Sequence, residues 1–207
     1  PGTRHGASKR GSVATNPTQR HMRLAFTLAV FLSASLLFAV EPMFGKMVLP
    51  LLGGSPAVWT TCMLFFQGAL LLGYLYAHLG PRWLGVRRHM LLHVGLLALA
   101  LALLPIDVME PAGALRENHP NMWLLLVLAL SLGIPFMLLS STGPLLQVWF
   151  SQTTHPEADN PYFLYASSNA GSLLALLSYP FLLEPTLPLD LLEKNIKAWV
   201  AEEKAKP

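Results

Sequence analysis

The sequence predicts an all-α fold: a polytopic transmembrane helix bundle of about five spans, one of them kinked or broken. Three observations carry that prediction. Of 207 residues, 53% are hydrophobic and only 12% are charged. The charges are segregated, with none in residues 24–40, 47–81, 89–106, 118–156 or 160–183. A run of about 20 apolar residues crosses a bilayer core, where only helices or closed barrels satisfy the backbone. These windows lack the period-2 alternation of barrel strands, so helices are expected.

Taken in order, residues 1–21 are polar and basic, without apolar periodicity, and read as a disordered tail. The bundle is expected over 22–188. Its first helix is placed at 24–44, retained rather than cleaved as a signal because the apolar run is long and no A-x-A site follows. Residues 41–59, EPMFGKMVLPLLGGSPAVW, then put a carboxylate, a lysine, three prolines and three glycines where a plain loop would suffice. A second helix is expected at 57–79, capped by Ser55 with Pro56 at its first position. A third follows at 89–105. The fourth, 122–150, would run about 43 Å if straight, against a core of about 30 Å. Gly133-Ile134-Pro135 and Ser140-Ser141-Thr142-Gly143-Pro144 interrupt it, so a kink or break is expected there. Asn160-Pro161 repeats the capping device before a fifth helix at 162–183. Residues 189–207 balance four acids against four lysines. Leu192, Ile196 and Trp199 recur there at helical spacing, which reads as a short amphipathic tail.

The formal charge of +3 sits mostly at the ends and in one short loop, so it reports topology rather than nucleic-acid binding. Arg20 and Arg23 before the first helix, and Arg82, Arg87 and Arg88 after the second, place the N-terminus and residues 80–88 in the cytoplasm. Residues 45–56 and 106–121 are then outside. Trp59, Trp83, Trp123 and Trp149 fall near expected helix ends, as in an aromatic belt. The single cysteine, Cys62, excludes an intrachain disulfide and reads as a packing residue.

Three stretches carry a family resemblance. Residues 41–79 (EPMFGKMVLPLLGGSPAVWTTCMLFFQGALLLGYLYAHL), 134–150 (IPFMLLSSTGPLLQVWF) and 160–185 (NPYFLYASSNAGSLLALLSYPFLLEP) resemble, in order, three blocks of the bacterial fused transporter-like/spermidine synthase-like membrane proteins. The resemblance covers about 22–188. It implies a membrane module in the bacterial inner membrane, accompanied in that family by further membrane helices and a cytoplasmic synthase-like domain. This chain has no Gly-rich strand-to-helix turn for an adenosyl cofactor. Aminopropyl transfer is therefore not carried over, and neither an enzyme nor a cofactor is expected.

Glu41-Pro42 and Glu184-Pro185 are expected to end the first and fifth helices at the outer rim. Carboxylates beside hydrocarbon usually face a bundle interior or wet cavity, and two at one depth suit a small cation such as a polyamine ammonium. The alternative is solvation at the interface, with Lys46 neutralising Glu41. A second polar set lies within the membrane: Gln67, Ser140 to Thr142, and Ser167, Ser168, Asn169 and Ser172. It either packs helices together or, with Gln67 facing Asn169 and Ser168 beside them, lines a solute path. His89 and His93 share a helix face near His78, a spacing open to a metal or haem, but His89 follows Arg87-Arg88 and interfacial histidines are the plainer expectation. The functions that follow are binding or transport of a small cationic solute, a membrane anchor for a soluble synthase-like partner, or a truncated fragment without independent function.

Overall fold

A computed structural model of the chain describes residues 17–52, 55–102 and 117–186. Five helices account for most of them: α1 (Pro17–Leu52), α2 (Pro56–Leu84), α3 (Val86–Ala102), α4 (Pro120–Ser151) and α5 (Tyr162–Ser178). The last runs directly into a π-helical turn, Tyr179–Leu183, and a final single turn, α6 (Glu184–Thr186). No strand occurs among the described residues. Three stretches, Pro17–Val48, Pro56–Leu84 and Pro120–Ser151, are long and apolar enough to cross a membrane. The expected tail at 189–207 lies outside the described residues.

Two helix pairs form the body. α5 lies along α1 and α2 lies along α4, while α4 also touches α1 and α3. Contacts between named residues give the directions. Ser167 Oγ donates to Thr27 O at 2.8 Å, Ser35 Oγ donates to Gly171 O at 3.1 Å, and Lys46 reaches Glu184. Residue numbers rise together, so α1 and α5 are parallel. Phe26 meets Phe150 at 5.2 Å between ring centroids while Ser33 Oγ donates to Leu139 O at 3.5 Å, so α1 and α4 are antiparallel. Gly85, at φ 78°, is the whole connection between α2 and α3. That left-handed conformation suits glycine and lets Tyr76 and Gly80 fold back onto His89.

Small residues set the closest approaches. On α5, Gly171 and Ala175 are buried one turn apart, and a methyl on Gly171 would collide with the Phe31 carbonyl of α1. On α2, Ala69, Gly73 and Ala77 repeat the spacing toward α4, where Gly73 sits against Ser140. Aromatic groups fill the space between. Phe44, Val48, Phe66, Trp123, Leu124 and Phe136 form one core, with Phe66 and Phe136 rings 5.0 Å apart. Val30, Leu146, Phe150 and Leu164 form a second at the other end. There the Arg23 guanidinium stands 4.7 Å over the Phe163 ring and 3.3 Å from Glu157, tying the start of α1 to the 151–161 loop.

Several expectations are corrected. α1 begins at Pro17 and continues through Pro42 to Leu52, so residues 17–21 belong to a helix and 45–52 are not a loop. Phe44, Gly45 and Val48 are buried there, with Gly45 against the Trp59 ring, and this packing outweighs the proline. The break expected in the fourth helix does not occur: α4 runs on as α-helix through Pro135 and Pro144. Ser140, Ser141 and Thr142 donate to Met137 O, Leu138 O and Leu138 O within that helix, so their hydroxyls stay on its own backbone. Ser55 caps α2 as expected, its Oγ accepting from Val58 N–H at 3.4 Å. Asn160 does not cap α5: its backbone carbonyl accepts from Tyr162 N–H, and the helix begins without a side-chain cap. Trp59 and Trp83 are exposed as belt residues would be, whereas Trp123 is fully buried in the core.

Candidate functional site

The site forms where α1 and α5 run out together. Gly171 and Ala175 of α5 and Tyr179 at the start of the π-turn are buried at four-residue intervals, with Gly171 against Phe31 of α1. Continued as an α-helix, residue 184 would sit about 140° round the axis from residue 179, at about 100° per residue. The chain instead makes a π-turn, in which the Glu184 N–H bonds to the Tyr179 carbonyl five residues back. That wider turn carries Glu184 roughly over Tyr179 and so back toward α1. Lys46, near the end of α1, meets it there in a hydrogen-bonded ion pair between Nζ and Glu184 Oε1. Both side chains are half-exposed. Beneath them the Tyr179 hydroxyl is buried and makes no hydrogen bond among the described residues.

Glu41 lies five residues before Lys46 on the same helix and is partly buried. It is not at a helix end, as expected, because α1 continues past it. Nor does Lys46 neutralise it: the lysine pairs with Glu184. Among the described residues no ion pair or hydrogen bond is made by the Glu41 carboxylate. Glu41 and Lys46 lie five residues apart on α1, about 140° round its axis, and of the two it is Lys46 that meets Glu184.

The remaining expected site residues are not gathered here. Gln67 is exposed on α2 and Asn169 is exposed on α5, and neither side chain makes a hydrogen bond among the described residues. Ser168 is half-exposed beside Asn169, while Ser167, one residue away, donates to α1. A path lined jointly by Gln67, Asn169 and Ser168 is therefore not what these helices form. His89 and His93 are fully buried between α2, α3 and α4, and His78 is exposed. Comparison with family models, curated proteins and solved structures returns no match.

What the sequence reading missed is the π-turn and the lysine's choice of partner. Pro180 and Pro185 were the available signal. Each lacks an N–H and crowds the preceding turn, so two of them around Glu184 disfavour a regular α-helix there.

Proposed function

We propose that the chain is a five-span membrane module of the bacterial inner membrane, N-terminus cytoplasmic, that binds or transports a small cationic, polyamine-like solute. The spermidine synthase-like resemblance belongs to this proposal, as does the lipid bilayer as its surroundings. Support for five spans comes from the alternation of helix directions and from the 25 continuous helical residues of Tyr162–Thr186. Such a length, about 37 Å, is enough to cross a hydrocarbon core.

The observation that carries the solute reading is the Lys46–Glu184 pair, with Glu41 five residues earlier on α1 making no ion pair among the described residues. Carboxylates at this depth are costly unless they serve a charge partner. Lys46 acts as a resident ammonium, which an incoming solute ammonium displaces from Glu184 while Glu41 takes a second positive group. The Lys46→Met protein, reconstituted in liposomes, is expected to take up labelled spermidine with a several-fold lower KM, because the internal competitor is gone. An unchanged or raised KM contradicts displacement.

A second reading is favoured by a different observation. The outer surface of α2 and α4 carries an open apolar groove lined by Leu64, Gly68, Leu72, Gly133, Ile134 and Met137, and Gln67 is exposed on α2. An amide in lipid is unfavourable unless another helix receives it. The chain would then be an anchor that docks further membrane helices or a soluble synthase-like partner. Co-purification with such a partner, with uptake indifferent to the rim substitutions, is its expected result.

A further inference from the structure

At the opposite end of the molecule from the rim, α2, α3 and α4 enclose a second polar group that shares no residue with it. His89 and His93 of α3 are both 0% exposed. The Tyr76 ring of α2 lies 4.7 Å from His89 and 5.8 Å from His93, centroid to centroid, and Trp149 of α4 stands edge-on to His93 at 5.9 Å. Five polar atoms of this group are buried without a partner among the described residues: Tyr76 OH, both ring nitrogens of His89, Nδ1 of His93 and Nε1 of Trp149. Leaving one such atom unsatisfied costs about 1–3 kcal/mol, and buried polar atoms that lack a protein partner usually hold ordered water.

One contact bears on the hydrogen-bonding sense. His93 Nε2 lies 3.2 Å from Thr142 Oγ1, and that hydroxyl already spends its only hydrogen on Leu138 O at 2.9 Å. With that hydrogen on Leu138 O, Thr142 accepts from His93 Nε2–H, an assignment that leaves Nδ1 of the neutral ring as a bare lone pair. Tyr76 and Trp149 each bring a free donor, and a neutral His89 brings one donor and one acceptor. The inventory is balanced and uncharged. A divalent cation would face these donors with no anionic ligand, since no three His, Cys, Asp or Glu side chains gather among the described residues.

We propose that Tyr76, His89, His93, Thr142 and Trp149 enclose a buried binding site for water, or a neutral hydroxylic solute of that size, with Nδ1 of His93 as its hydrogen-bond acceptor. Water bridges Nδ1 to the Tyr76 and Trp149 donors, making this a proton-exchanging chamber within the apolar bundle. The test is nitrogen-resolved NMR of the full chain in lipid nanodiscs with labelled histidine. The expected spectrum shows His93 as a single Nε2–H tautomer whose ring exchanges magnetisation with water. Thr142→Val, which removes the acceptor while keeping the shape, is expected to replace that single tautomer with a mixture. An Nδ1–H tautomer, a His93 ring with no water contact, or a tautomer unaffected by Thr142→Val would overturn the proposal. So would stoichiometric Zn(II) binding that shifts both imidazoles, because the site would then belong to a metal.

Discussion

Gly171 has no room for a side chain: a methyl there meets the Phe31 backbone of α1, which cannot swing aside. Gly68 and Gly133, by contrast, face open space. Gly171→Ala is expected to destabilise the bundle by about 1–3 kcal/mol through overpacking. Gly68→Ala is expected to be neutral or mildly stabilising, since alanine is favoured in a helix by up to about 1 kcal/mol. Unfolding in mixed detergent micelles separates the two; equal effects would contradict the packing described. The sequence showed the polar run Ser167, Ser168, Asn169 and Ser172, but adjacent residues on a helix point in different directions. Only the neighbouring helix decides that Ser167 is a packing group and Asn169 an outward one. The burial of His89 was hidden for a similar reason. Arg87 and Arg88 suggested the headgroup level, while the tight corner at Gly85 and the bare Cα of Gly80 are what admit the ring into the core.

The elements themselves were largely legible, because long uncharged runs leave little choice but helix. Their interruptions were not. Prolines in α1 and α4 suggested a loop and a break, yet Phe44, Val48 and Phe136 bury enough surface to keep both helices continuous. The departure from α geometry occurs instead at Tyr179–Leu183, between Pro180 and Pro185. That turn determines where Glu184 points. Inserting one alanine after Phe181, an exposed position, would rotate Glu184 by about 100° away from Lys46 and is expected to abolish uptake. Deleting Phe181 would instead convert the π-turn to an α-turn with Glu184 still over Tyr179, and uptake is expected to survive. Equal loss from both changes would contradict a directional role for the turn.

Across the whole molecule, helix direction alternates along the chain, the Arg23–Glu157 pair closes one end and the Lys46–Glu184 pair closes the other. The ion pairs were not foreseeable, because each joins residues more than 130 positions apart. The proposed cation site lies at the second end and the proposed polar chamber near the first. On the proposed function, Glu41 holds positive charge arriving from outside the protein rather than that of Lys46. The most direct measurement is labelled spermidine uptake by cells carrying Glu41→Gln, with membrane protein level measured in parallel. Uptake lost at an unchanged protein level is the predicted result, and normal uptake would contradict the claim.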